Sequence, residues 1–296
     1  MAVQASTFVI SLTPFTATGD LDEDGLRAHL RRLASSGIGV YLGGSGSGEG
    51  YTLSRDEVRR VLEIGVEELR GRVPVRAMGV EPRSADELIA LGRLATDVGV
   101  EAVQLYSLDM GHGNRPRPGE LERYLCDVLD AVDVPMVLSS HQAAGYAIPP
   151  ELIDGLLDRY DSIVGVNCTN QDLTYLLRVL DAVDRRVDVH VGGPMHALSC
   201  LAMGGQGYLS SEGNLAPALC VAVIDAYARG DLRACADAYA RVMRLFAMTQ
   251  RLGGISATKA ALRTLGLPGG WPRPPRLPVE EDDVGDLVRL VQPNVL

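Results

Sequence analysis

Lysine is almost absent from this chain. Of 28 basic residues in a sequence of 296, one is a lysine, Lys259, and the others are arginine. A primary amine is the side chain that condenses with a ketone to give an iminium, so such chemistry is confined to Lys259 and the α-amine. The arginine usage, with abundant Ala, Gly, Leu and Val, fits a GC-rich coding composition, so the scarcity bears on particular positions rather than on the surface. Positive charge in excess is lacking too. The 38 acidic residues give a formal net charge of -10, which argues against nucleic acid or an anionic membrane as a partner. The five cysteines, at 126, 168, 200, 220 and 235, include no Cys-x-x-Cys pair. An odd, scattered set fits buried thiols rather than a disulfide framework or a structural zinc site. No apolar run reaches membrane-spanning length, and Met1 to Phe8 has neither a basic start nor a long apolar core, so the chain reads as cytoplasmic.

What is present is a regular alternation. Short β-type runs near 7–12, 38–43, 73–78, 101–106, 134–139, 162–167, 187–192 and 206–210 are each followed by an amphipathic helical window. In the first of these windows Leu26, Leu30 and Leu33 share a face, Arg27, Arg31 and Arg32 lie off it, and Gly37 ends it. Ser54 with Glu57, and Ser84 with Glu87, have capping-box spacing. The run Val134-Pro-Met-Val-Leu138 is apolar on both faces, as a parallel sheet covered by helices requires. Eight such units predict an α/β fold, a (β/α)8 TIM barrel with its site at the C-terminal ends of the strands. Helical windows beyond Leu215, punctuated by Gly230, Gly253-Gly254 and Gly269 to Pro275, predict a C-terminal helical extension. The expected organisation is a barrel core over 1–215, with the last barrel helix and the extension over 216–296, as a single structural unit.

Five segments, in order, resemble the dihydrodipicolinate synthase and N-acetylneuraminate lyase family over nearly the whole chain. They are Leu12-Thr-Pro-Phe15, Ser47-Gly-Glu-Gly-Tyr-Thr-Leu-Ser54, Ala202 to Ser210, Asn214-Leu-Ala-Pro217 and Thr258 to Gly266. The resemblance implies a (β/α)8 barrel, a homotetramer or homodimer, and chemistry on 2-keto acids through a lysine Schiff base on the sixth strand. That strand here reads Ile163-Val-Gly-Val-Asn-Cys168, which sets Asn167 at the nucleophile's position. A carboxamide nitrogen is delocalised and cannot form the imine. Lys259 matches a lysine of the family's C-terminal helical region, outside the barrel, and is not expected to replace the missing one. The family's proton-relaying tyrosine matches Ser139, its carboxylate-binding arginine falls near Ala143 and Ala144, and its two hydroxyl residues after the second strand match Gly46 and Ser47. Glu49 matches a glutamate of structural use.

The residues at the expected rim then set the candidates. The turn Gly43-Gly-Ser-Gly-Ser-Gly-Glu49 has backbone amides able to cradle a carboxylate, with Gly46 and Ser47 as its binding residues; the competing reading is a flexible connection. His141 lies two residues beyond Ser139, and strand alternation sends both to the barrel mouth. With Ser139 and Asn167 it forms the expected catalytic set, His141 moving the proton. Ser140 joins the same polar group. Glu212 at the end of strand eight is a candidate base or cation ligand and is counted among the substrate-binding residues, against a reading as a solvated rim carboxylate. Tyr106 opens a long fourth loop that carries His112, Arg115 and Arg117; both arginines are candidates to recover the lost anion binding, against surface solvation as their default, and Tyr106 and Arg115 are the expected substrate-binding residues of this loop. His190 lies on strand seven, and His29 and His196 fall in helical windows. His112, His141, Cys168 and Glu212 lack recognised ligand spacing, so no metal is expected, and no cofactor either.

Three readings follow. The first is a lyase-type enzyme, acting by aldol cleavage or condensation, dehydration or cyclisation on a small 2-keto or hydroxy carboxylic acid without a Schiff base. The second is a non-catalytic ligand-binding or regulatory homologue. The third, a Schiff base at another lysine, has only Lys259 to work with. A decayed site tends to fill with apolar groups, whereas Ser139, Ser140, His141 and Asn167 are polar together, which favours the first.

Overall fold

The computed structural model describes residues 6–141 and 147–292. Eight parallel strands follow in chain order and close into a barrel: β1 (Ser6–Ile10), β2 (Gly39–Leu42), β3 (Val75–Ala77), β4 (Ala102–Leu105), β5 (Met136–His141), β6 (Ile163–Thr169), β7 (Asp188–Gly192) and β8 (Gly207–Ser210). Each is followed by a helix: α1 (Glu23–Ser35), α2 (Arg55–Leu69), α3 (Ala85–Val98), α4 (Pro118–Leu129), α5 (Pro150–Leu157), α6 (Leu173–Val183), α7 (Ala197–Ala202) and α8 (Pro217–Ala228). The extension adds α9 (Leu232–Arg251), α10 (Ile255–Thr264) and α11 (Gly285–Val291). The fold is thus a (β/α)8 barrel with C-terminal helices. Every observed strand overlaps its predicted run, because apolar runs bounded by turn residues have few other ways to bury both faces.

The chain forms two compact units, Arg76–Tyr208 and Ser6–Val75 with Leu209–Leu296. In the second unit β1 pairs with β2 from Phe8↔Gly39 to Ile10↔Tyr41. Leu26, Leu30 and Leu33 of α1 are fully buried, each contributing about 2 kcal/mol by leaving water. Asp22 caps α1 through the Gly25 amide, and Gly37 ends it with φ +74°. At the start of α2, Ser54 and Glu57 form both bonds of the expected capping box. The expectation for Ser84 fails by half: its hydroxyl caps α3, but the Glu87 carboxylate turns back to the amide and guanidinium of Arg83. His196 likewise precedes α7 rather than lying inside it.

In the first unit β4, β5, β6 and β7 pair in succession. Their registers carry one set of side chains to one face. Gln104 stands level with Val137, two residues before Ser139; Ser139 pairs with Asn167, and Asn167 with His190. The alternate face meets the helices, for Ser140 Oγ lies 2.5 Å from Tyr175 Oη of α6 and accepts the Ile148 amide. The Gln104, Ser139, Asn167 and His190 side chains therefore line the barrel interior.

Candidate functional site

The interior of the first unit is polar where a barrel core is usually filled by branched aliphatics. Asn167 Nδ2 donates to Gln104 Oε1 at 2.5 Å, and Gln104 Nε2 donates to Ser139 Oγ at 3.1 Å. All three residues are at least 97 % buried, as is His190 beside them. One layer nearer the N-terminal ends of the strands the same registers place Arg76, paired with Ala102, and Asp188, paired with Gly165. Burial pulls the His190 imidazole down to about 3, and the Arg76 guanidinium pushes the same way. His190 is therefore neutral at physiological pH. Burial also raises the Asp188 carboxyl, with Arg76 opposing. The interior thus offers neutral hydrogen-bonding groups over a layer that holds the Arg76 guanidinium and the Asp188 carboxyl, and those neutral donors suit a carbonyl oxygen on which charge develops.

His141 closes β5 on the same face as Ser139 and is half-buried. Burial lowers its pKa below the usual histidine value, and the Glu81 carboxylate opposes that shift. The ring is consequently a free base at neutral pH, ready to accept a proton. Ser107 Oγ donates to the Ser139 carbonyl at 3.3 Å, and the buried Tyr106 presents its carbonyl to Tyr124 Oη at 2.9 Å.

One expectation needs correction. Ser140 does not join the interior group; strand alternation turns it to Tyr175 in the helical layer. Arg117 pairs with Glu120 at the surface, and Arg115 is exposed in the loop after β4. Burial pushes the Cys168 thiol up to about 12, leaving it an inert protonated group. No three His, Cys, Asp or Glu side chains among the described residues stand together as a metal site. Ala143 and Ala144, near which the lost arginine would fall, lie outside the described residues.

The second unit carries its own cluster at the C-terminal ends of β1, β2 and β8. The glycine turn begins at Gly43 with φ +76°, a conformation that side chains rarely tolerate, and the chain turns so tightly that a Cβ on Gly48 would lie 2.8 Å from the Gly44 carbonyl. Gly46 faces open space and Ser47 is buried. Both line a cleft of about 300 Å³ together with Ser211, Thr249, Thr258 and Arg276. Glu212 is 1 % exposed, so it is no solvated rim carboxylate. Ser210 Oγ and Ser211 Oγ donate to it at 3.0 and 2.7 Å, and burial raises its pKa against those hydrogen bonds.

Lys259 lies on α10 in the same unit and is fully buried. Its ammonium donates to the Glu49 carboxylate, to the Thr13 carbonyl at 2.8 Å and to the Trp271 carbonyl at 2.9 Å. Burial lowers its pKa to about 8, with Glu49 opposing. Three acceptors for three protons hold the amine charged and enclosed, which agrees with the structural use expected of Glu49.

Sequence reasoning missed Gln104, Arg76, Thr249 and Arg276, and it placed His190 on its strand without a facing. Gln104 left a trace, a lone amide in the apolar strand Ala102-Val-Gln-Leu105. Arg76 looks like an ordinary basic residue until its register is known.

Comparison with known proteins accounts for this architecture. The model of the dihydrodipicolinate synthetase family matches residues 4–294. The 4-hydroxy-tetrahydrodipicolinate synthase of Methanopyrus kandleri is 31% identical over 273 residues, covering 92% of this chain and 90% of the relative. That of Acidiphilium cryptum is 30% identical over 282 residues, with 93% of each covered. Among solved structures, a dihydrodipicolinate synthase of Bacillus anthracis superposes with a TM-score of 0.89 at 22% identity, covering 99% of both chains, a likeness of fold. YagE of E. coli, a family member solved in complex with pyruvate, superposes with a TM-score of 0.87 at 26% identity, again over 99% of both. With its matching segments in order and its barrel closed as theirs are, the chain belongs to the dihydrodipicolinate synthetase family.

Proposed function

We propose that the protein is a lyase-type enzyme that cleaves, condenses, dehydrates or cyclises a small 2-keto or hydroxy carboxylic acid without a lysine Schiff base. The observation that carries this reading is Asn167, turned into the barrel interior and hydrogen-bonded to Gln104 where the family's nucleophile is expected. The curated relatives named as synthases and the pyruvate bound to YagE support the substrate class. The enclosed Lys259 supports the absence of an imine. In this reading His141 takes up the proton, while Asn167 and Ser139 hold the carbonyl oxygen on which charge develops. Gly46 and Ser47 bind the carboxylate; Tyr106, Arg115 and Glu212 are assigned to substrate binding. The assembly belonging to this reading is a homotetramer or homodimer, which sedimentation velocity checks.

Trapping tests the central point. Incubation with pyruvate and borohydride should leave no reduced adduct on any side chain by mass spectrometry, under conditions that label a family member with the strand-six lysine. A stoichiometric adduct at Lys259 would overturn the proposal. Tight binding of a 2-keto acid with no turnover across a panel of acids would make the chain a ligand-binding homologue instead.

A further inference from the structure

The cleft of the second unit contains more recognition chemistry than one carboxylate needs. Besides Gly46 and Ser47 it is lined by Ser211, Thr249, Thr258 and Arg276, and no acidic residue is among the lining groups. Three observations converge on its far wall. Thr249 of α9 is 97 % buried, yet its hydroxyl has no hydrogen-bond partner among the described residues. A buried hydroxyl left unsatisfied costs about 1–3 kcal/mol, so a ligand atom that supplied the partner would recover that energy on binding. Arg276 lines the cleft and has no carboxylate partner among the described residues. Lys259 is engaged by Glu49, Arg263 by Glu281 and Arg273 by Glu57, whereas the Arg276 guanidinium lies over the Tyr51 ring with its Nε unpartnered. Finally, α10 starts at the cleft: Gly254 and Ile255 line it and open the ten-residue helix, whose first-turn amides have no acceptor within the helix.

We infer that this wall is a second anion subsite, and that the substrate is a 2-keto dicarboxylate whose distal carboxylate binds Arg276 and Thr249 at the N-terminus of α10. The inference rests on the proposed function, with the 2-keto acid's own carboxylate on Gly46 and Ser47. A guanidinium and a hydroxyl presented together fit a carboxylate, and a charge-assisted bond of this kind contributes roughly tenfold or more in affinity.

Chain-matched acids separate the subsite from the general reading. Calorimetry of 2-oxoglutarate and 2-oxoadipate against 2-oxopentanoate and 2-oxohexanoate should show at least one diacid binding roughly tenfold or more tighter than its monoacid. Arg276→Leu should abolish that preference while leaving monoacid affinity unchanged, and Thr249→Val, nearly isosteric, should reduce it severalfold. Unaltered melting temperatures would establish that both variants fold; if Arg276→Leu does not, the Thr249 variant decides. Monoacids bound as well as diacids, or a preference that survives both substitutions, would overturn the subsite alone. Failure of every keto acid to bind would overturn the underlying reading as well.

Discussion

At the scale of single residues the proposed chemistry turns on Asn167, the residue that the resemblance sets at the nucleophile's position. Asn167 cannot become an electrophile's partner, but it can hold one in place, and its carboxamide sits in a chain of hydrogen bonds through Gln104 to Ser139. In the proposed role such a group binds the carbonyl oxygen in the ground state and binds it more strongly as charge develops there. Asn167→Ala should therefore raise the dissociation constant of a 2-keto acid and lower turnover together. His141→Gln should differ, keeping affinity within a few-fold while lowering kcat by roughly a hundredfold, the usual contribution of general acid-base catalysis. Because burial holds His141 below the ordinary histidine value, the wild-type kcat/KM should fall on the acid side with an apparent pKa under ~6.5. That limb should vanish in the Gln variant. Steady-state kinetics against pH reads both, and an unaltered acid limb would remove His141 from the mechanism.

At the scale of elements, small differences in side-chain direction separate sites that look alike in sequence. Ser54 and Ser84 have the same spacing to a glutamate, but only Ser54 receives the reciprocal bond, since Arg83 competes for Glu87. Ser54→Ala should cost about 1 kcal/mol in urea unfolding and Ser84→Ala somewhat less, because each removes a hydroxyl that accepts a first-turn amide, at 3.2 Å in α2 and 3.4 Å in α3; no loss in either variant would show that these caps contribute nothing. The same contrast explains what was legible beforehand. Strand and helix positions were, because burying apolar faces leaves one period available to each segment. Asn167, Ser139 and His141 were placed on the interior face because alternation within a strand is local. Ser140 was misassigned for want of its helical partner Tyr175, while Gln104 and Arg76 were missed and His190 had no facing because only the register between strands turns them toward the same space. Thr249 and Arg276 are farther still from prediction, lying on α9 and beyond α10, where no local pattern marks a hydroxyl or a guanidinium for a cleft.

For the molecule as a whole, two buried histidines set the acid limit of stability. Burial holds His29 and His190 each down to about 3, the Arg32 charge adding to the shift at His29. An unfolded histidine takes up its proton near ~6.5, so as pH falls below that value the unfolded state binds protons that the folded state refuses. Stability should thus drop between pH 7 and pH 5 by about 2 kcal/mol for each ring. Glu212 acts with the opposite sign: its raised pKa favours the folded state at low pH and offsets part of the loss. Chemical denaturation across this window should show the decline, and His29→Gln, which retains a donor for Asn214 Oδ1 at the position of the 3.0 Å contact, should make it shallower. A pH-independent unfolding energy in the wild type would contradict the burial of both rings.

The enclosure of Lys259 reaches beyond its role as a tether between α10, Glu49 and the Trp271 carbonyl. An acylating reagent added to the native protein meets no accessible ε-amine, because the one lysine is fully buried. When the fold opens, the amine at residue 259 becomes reactive. The rate at which that site is acylated then measures how often this part of the chain unfolds, without any probe having been engineered into it.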